Sequence, residues 1–223
     1  MFQGFTDKTF EFFMALGFNN NREFFHDNHD WYAEAVRKPL IDLASDLSGT
    51  IELIDEDLER RPERCVSRIN RDIRFSKDKS PYRDYMWIGF HHPEQKHSRP
   101  GFWMDISVDH IGFGMGFYEE DRSIMDAHRQ FLVNHPEEFK NLIASLNPKD
   151  SVSLEIRKRM KVPEGIDESL QKWYPIKCVT LFRELPVSSP VVRSSALAEE
   201  IKNAYLSMKP VYDYFASLKP VLV

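Results

Sequence analysis

The sequence predicts an α+β fold: a mainly antiparallel sheet with N-terminal and C-terminal helices packed on it. Three observations predict it. Apolar residues recur at three- and four-residue steps through residues 6–50. Period-two alternation takes over across a strand-rich middle at 65–118. Helical spacing then returns at 121–146, and a strand and helix close the chain at 176–218. With 223 residues, 42% hydrophobic and 17 of them Phe, the chain has ample material for a single domain over 1–223.

Thr6 can cap a first helix to about Leu16, with Phe10, Phe13 and Leu16 at core spacing. Gly17 and the Asn19–Asn21 run end it, and Asn21 caps the next. That second helix carries Phe24, Phe25, Tyr32, Val36, Leu40, Leu43 and Leu47, and Pro39 must kink it or begin a new segment. Residues 51–64 read as an exposed, charged connection. In Val66–Phe75, Ile69, Ile73 and Phe75 share one strand face, opposite Arg68, Asn70, Asp72 and Arg74. Arg71 falls on the apolar side, where a guanidinium needs a carboxylate or a ligand. Met86–Phe90 is a strand and 91–101 a loop. Phe102–Val108 and Ile111–Phe117 form a hairpin turning at Asp109-His110. Asp121 caps a helix to about Val133, and Pro136 opens another to Leu146. Residues 151–175 show no decisive period. Ile176–Arg183 alternates as a strand, and Ser194 or Ser195 starts a last helix that Pro210 breaks.

Composition excludes several classes. No apolar run approaches the ~20 residues of a membrane helix, and the N-terminus lacks a signal-peptide pattern. Two cysteines far apart, Cys65 and Cys178, read as free thiols and point to the cytoplasm. A net charge of −5 argues against non-specific DNA coating, so nucleic acid is not the favoured partner. The sequence leaves the oligomeric state undetermined.

Against that acidic background, residues 60–83 hold nine Lys/Arg and three acids, a local charge of +6 that leaves −11 for the remainder. Such an island points to an anionic ligand. In a strand, Arg68, Asn70, Asp72 and Arg74 project together at ~6.6–7 Å steps, and two guanidiniums beside a carboxylate can keep donors for phosphate.

Three stretches resemble a bacterial family of conserved proteins, domain of unknown function 2461. They are Asn20-Asn21-Arg22-Glu23-Phe24-Phe25 with Asn28 and Tyr32; the long run Arg68-Ile69-x-Arg71-Asp72-x-Arg74-Phe75-Ser76-Lys77-Asp78-Lys79-x-Pro81-Tyr82-Arg83; and Gly101-Phe102-Trp103 with the glycines at 112–116. Phe24 stands where the family usually has Trp, His29 where Lys is frequent, and Arg83 where Lys is common. The resemblance implies one cytosolic domain and brings no established activity.

The site expected from these residues is a pocket for a small phosphorylated or otherwise anionic ligand. It joins Asn20, Asn21 and Arg22 to Arg68, Arg71, Asp72, Arg74, Lys77, Lys79, Tyr82 and Arg83, with Trp103 alongside. Asp72 orients the arginines, or acts as a base if it is desolvated. No cofactor is predicted. Mg²⁺ enters only in an alternative, a phosphoesterase or nucleic-acid-processing enzyme in which Asp72, Asp105 and Asp109 converge. Two further alternatives are a basic patch docking an acidic protein or RNA, and a purely structural ion-pair network. The histidines lack HExxH or cysteine partners. Gly112-x-Gly114-x-Gly116 opens no helix, so it reads as room for a neighbouring backbone, a ring such as Trp103, or a ligand.

Overall fold

The computed structural model describes residues 1–74, 77–94 and 97–220. Helices α1 (Asp7–Phe18), α2 (Arg22–Asp27), α3 (His29–Tyr32), α4 (Lys38–Ile54) and α5 (Pro62–Cys65) come first. Strands β1 (Met86–Phe90), β2 (Gly101–Ile106) and β3 (His110–Phe117) follow, then α6 (Arg122–Asn134) and α7 (Pro136–Ala144). Strands β4 (Ser151–Ile156) and β5 (Ile176–Pro186) precede α8 (Ala196–Ser217). The strands form one five-stranded antiparallel sheet in the order β1-β2-β3-β5-β4, so the α+β class read from the sequence is the observed one.

The residues gather into two compact units. The first comprises Met1–Phe90, Trp103–Phe113 and Glu184–Asn203. Its core is laid down by spacing: Phe10, Phe13 and Leu16 of α1, and Leu40, Leu43, Leu47 and Ile51 of α4, are buried. Each such Leu or Phe contributes roughly 1.5–3 kcal/mol through removal of apolar surface from water. Pro39 does begin a new segment. A π turn at Ala33–Arg37 precedes it, and Pro39 takes the second position of α4, where a missing N–H is tolerated. Gly4, at φ +106°, lies so close to the backbone of Arg193 and Ser194 that a Cβ would collide with it.

The second unit comprises His91–Phe102, Gly114–Arg183 and the chain from Ala204. Asp121 caps α6 as expected, its carboxylate accepting from the N–H of Ser123 (3.0 Å) and Ile124 (3.3 Å). His128 is fully buried, between the Tyr214 hydroxyl (2.7 Å) and the Trp173 carbonyl (3.0 Å). Buried Arg183 pairs with Asp150 at 2.6 Å and donates to Ser207 at 2.9 Å. Gly114 and Gly116 let β3 and β5 approach: a Cβ on either would overlap a carbonyl oxygen, of Leu181 or of Val179.

Four expectations are corrected. Residues 66–74 form no strand of the sheet; the segment is an extended ribbon with two isolated bridges, Val66 to Ile88 and Asn70 to Tyr82. Ile69 is buried as expected, but Ile73 is 37% exposed, and Phe75 lies outside the described residues. The connection at 51–64 is partly helical, since α4 runs to Ile54 and α5 starts at Pro62. Pro210 does not break α8: it and Leu206, whose carbonyl loses its helical donor, are both on the exposed side, where water can serve that carbonyl. The stretch without a decisive period contains β4.

Candidate functional site

The basic island divides into a spent part and an available part. Arg60 pairs with Glu52 at 2.8 Å, and Arg61 and Arg64 both reach Glu59, at 2.5 and 3.4 Å. The Arg61 hydrogen bond leads in pulling the Glu59 carboxyl down to about 2. Arg60 and Arg61 therefore have few donors left for a ligand, while Arg64 is held only by its long contact.

The ribbon that follows pairs its arms through two backbone bonds, Arg71 N–H to Pro81 O (2.9 Å) and Arg83 N–H to Ile69 O (2.8 Å), and side chains reinforce them. The Asn20 carboxamide donates to Tyr82 O at 3.0 Å and accepts from Tyr82 N–H at 3.1 Å, pinning the start of α2 to the ribbon. Asn21 caps α2 by accepting from Phe24 N–H at 2.8 Å. Arg71, with a side chain 24% exposed, spends its fork on Asp78 (2.6 Å), Asp84 (3.7 Å) and Tyr82 O (3.3 Å). It therefore has the carboxylate partner its apolar position demands. Tyr82 itself is buried and stacks on Phe25, centroids 4.3 Å apart. Lys79 Nζ donates to Ile73 O at 2.8 Å.

Arg74 grips Asp72 through Nε (3.0 Å) and Nη2 (2.7 Å). Hydrogen bonds from the Arg74 side chain and backbone hold the exposed Asp72 carboxyl down at about 2. The desolvation that would make Asp72 a base is not there. The Ser80 hydroxyl and N–H likewise lower Asp78, with Arg71 adding to the effect. Of the cations expected at the site, the exposed side chains of Arg22, Arg68 and Lys77 make no ion pair or hydrogen bond among the described residues.

Arg83 joins the ribbon to the sheet. Its Nη1 donates to the carbonyls of Arg68 (2.8 Å) and Asn70 (2.6 Å), and its guanidinium lies 4.9 Å from the Trp87 ring centre. Ser67 N–H also donates to Trp87 O at 2.8 Å. Trp103 sits on β2 with its ring against Gly112, 3.2 Å from where a Cβ would be. Trp103 shares a sheet face with Trp87. The core face carries Met86 and Ile88 of β1 and Met104 of β2, all fully buried, and the two tryptophans are on the other parity. Sequence reasoning passed over Tyr85 and Trp87; their alternation with Met86 and Ile88 was the available signal.

Other chemistry is poorly served. Among the described residues, no group of three His, Cys, Asp or Glu side chains is placed to hold a metal ion. Asp105 is paired with His110 at 3.2 Å, apart from the Asp72–Arg74 pair. Burial pushes the Cys65 thiol up to about 12 and that of Cys178 up to about 11, the opposite of a thiolate nucleophile. A cleft of about 540 Å³ in the second unit is lined by charges that largely pair off, Arg157 with Glu120 (2.7 Å) and Lys177 with Glu155 (2.6 Å). Among the described residues no helix is long and apolar enough to cross a membrane.

A search of curated proteins gives no match. A family model does match, over residues 8–214, a span that includes the Asn20–Arg22 helix start, the whole ribbon and Trp103. The chain therefore belongs to the conserved hypothetical protein family DUF2461.

Proposed function

We propose that this protein binds a small anionic ligand, phosphorylated by preference, on the ribbon between Arg68 and Arg83. One observation carries the reading: Arg68 and Lys77 stay uncommitted while Asp72, Asp78 and Asp84 are already neutralised by Arg74 and Arg71. An incoming phosphate meets free donors without displacing a carboxylate. Arg71, Arg74, Lys79 and Arg83 then act as the frame, and Arg22 adds charge from the adjoining helix start. Free, buried thiols at Cys65 and Cys178 support a cytoplasmic setting. Titration with inorganic tripolyphosphate, followed by calorimetry and thermal shift, tests the reading. Saturation at ~100 times Kd adds about 2.7 kcal/mol of stability, and R68A/K77A removes the binding while leaving the fold intact. The three-way engagement of Arg71 favours a second reading, a ribbon that only scaffolds the helix start. On that reading tripolyphosphate gives no shift, and only R71A alters the protein.

A further inference from the structure

We infer that the aromatic face of β1 and β2 beside the ribbon is a stacking platform for the bases of single-stranded nucleic acid. The inference rests on the anion reading above, because the ribbon's free cations hold the phosphates.

The outward positions of a solvent-facing sheet are ordinarily polar. Here two of them are Trp87 and Trp103, beside inward residues that are fully buried, and Tyr85 immediately precedes β1. Tyr85 is 41% exposed and stacks on Trp87, with centroids 5.9 Å apart and planes at 29°. Trp87 and Trp103 lie on neighbouring strands, whose backbones run ~4.8 Å apart. Arg83 supplies the junction: it holds the ribbon through Arg68 O and Asn70 O, and its guanidinium lies over Trp87. Rings for bases therefore adjoin Arg68, an exposed cation with no partner.

Charge complementarity selects the occupant. An apolar protein surface would leave Arg68 and Lys77 unpaired, and a bare anion would leave the rings unused. A single strand satisfies both, since every base has a face to stack and every linkage a phosphate. Asp84 is already shared with Arg71, so it does not repel the strand as a free carboxylate would. Asp105, two residues along β2 from Trp103, is likewise paired, with His110 at 3.2 Å.

The test uses the full chain and four probes: an eight-residue oligodeoxythymidylate, an abasic strand of equal length, tripolyphosphate and a polyglutamate peptide. Anisotropy and calorimetry give affinities. The thymidylate is expected to bind more tightly than the abasic strand and to quench tryptophan fluorescence. Trp87→Ala and Tyr85→Ala each weaken it about tenfold while leaving tripolyphosphate unchanged. Trp87→Phe keeps a ring and most of the affinity, which separates stacking from misfolding. Two phosphate contacts set a log–log salt slope of about −1.4. Equal binding of the thymidylate and the abasic strand, or thymidylate affinity unmoved in both alanine variants, overturns the platform and leaves the anion reading standing. Polyglutamate binding as tightly as thymidylate overturns it in favour of an acidic protein partner. Failure of all four probes overturns both readings.

Discussion

Thr9 Oγ1 donates a 2.7 Å hydrogen bond to the carbonyl of Ala35, and both residues are buried. In a regular helix the donor to that carbonyl is the N–H of residue 39, and residue 39 is a proline. A side chain of α1 thus serves the backbone where the π turn gives way to α4, and Thr9 Oγ1 also accepts from Thr6 N–H at 3.2 Å. Thr9→Val keeps the shape and removes the hydroxyl. The expected loss is about 1–3 kcal/mol, the cost of a buried group left unpaired. In a Pro39→Ala background the new N–H can serve the turn, so the same change costs less. Urea unfolding of the four proteins in the cycle measures the coupling.

Asn20 provides a second check, on the ribbon itself. Its carboxamide makes one bond in each direction to the backbone of Tyr82. Asn20→Ala is expected to cost about 1 kcal/mol. Asn20→Asp keeps the acceptor but sets a carboxylate oxygen against Tyr82 O, and it should cost more than the alanine variant. Urea midpoints rank the two, and hydrogen exchange at the Tyr82 amide should accelerate in the alanine variant.

Two glycines should respond in opposite directions. Gly49 sits inside α4 with open space where a Cβ would go, so Gly49→Ala should stabilise by about 0.8–1 kcal/mol. Gly114→Ala drives a methyl into Leu181 O, and a loss of at least ~1–3 kcal/mol is expected. Thermal melts of both variants decide the matter.

Acid sensitivity should centre on His128. Burial pushes this imidazole down from 6.5 to about 4, while its hydrogen bond to the Trp173 carbonyl pulls the other way. The unfolded chain binds a proton near 6.5 and the native state does not, so stability falls as pH drops from 6.5 towards 4. A difference of that size is on the order of 3 kcal/mol across the window. His128→Gln should flatten this part of the stability–pH curve, whatever it does to the absolute value. Denaturant midpoints at half-unit pH steps provide the test.

What the sequence disclosed follows from where side chains are buried. Helix α8 was legible because Leu197, Ile201, Tyr205 and Met208 all face the core at helical spacing. Strand β4 was harder to read: Val152, Leu154 and Ile156 do alternate with Ser151, Ser153 and Glu155, but the run is short and none of its residues is fully buried. The ribbon imitates a strand through Ile69 and Arg68, yet beyond two bonds between its own arms its backbone relies on the side chains of Asn20 and Arg83, partners that a local pattern cannot reveal. At the candidate site, the need of Arg71 for a carboxylate was readable from its parity. Which acids answered it was not, since Asp78 and Asp84 arrive through chain reversal. Trp87 was hidden by its own strand, where attention falls on the buried Met86, Ile88 and Phe90.

The sheet ends at β1 on one side and β4 on the other, and such ends invite a foreign strand to dock and seed aggregation. At β1 that approach is hindered: Ser67 N–H already occupies Trp87 O, and Val66 bridges to Ile88. At β4 the register slips between Glu155 and Ile156, and Lys177 is paired with Glu155 there. The ribbon thus has a second consequence, independent of any ligand: its backbone bond to Trp87 takes up a position on the β1 rim that a foreign strand would otherwise use.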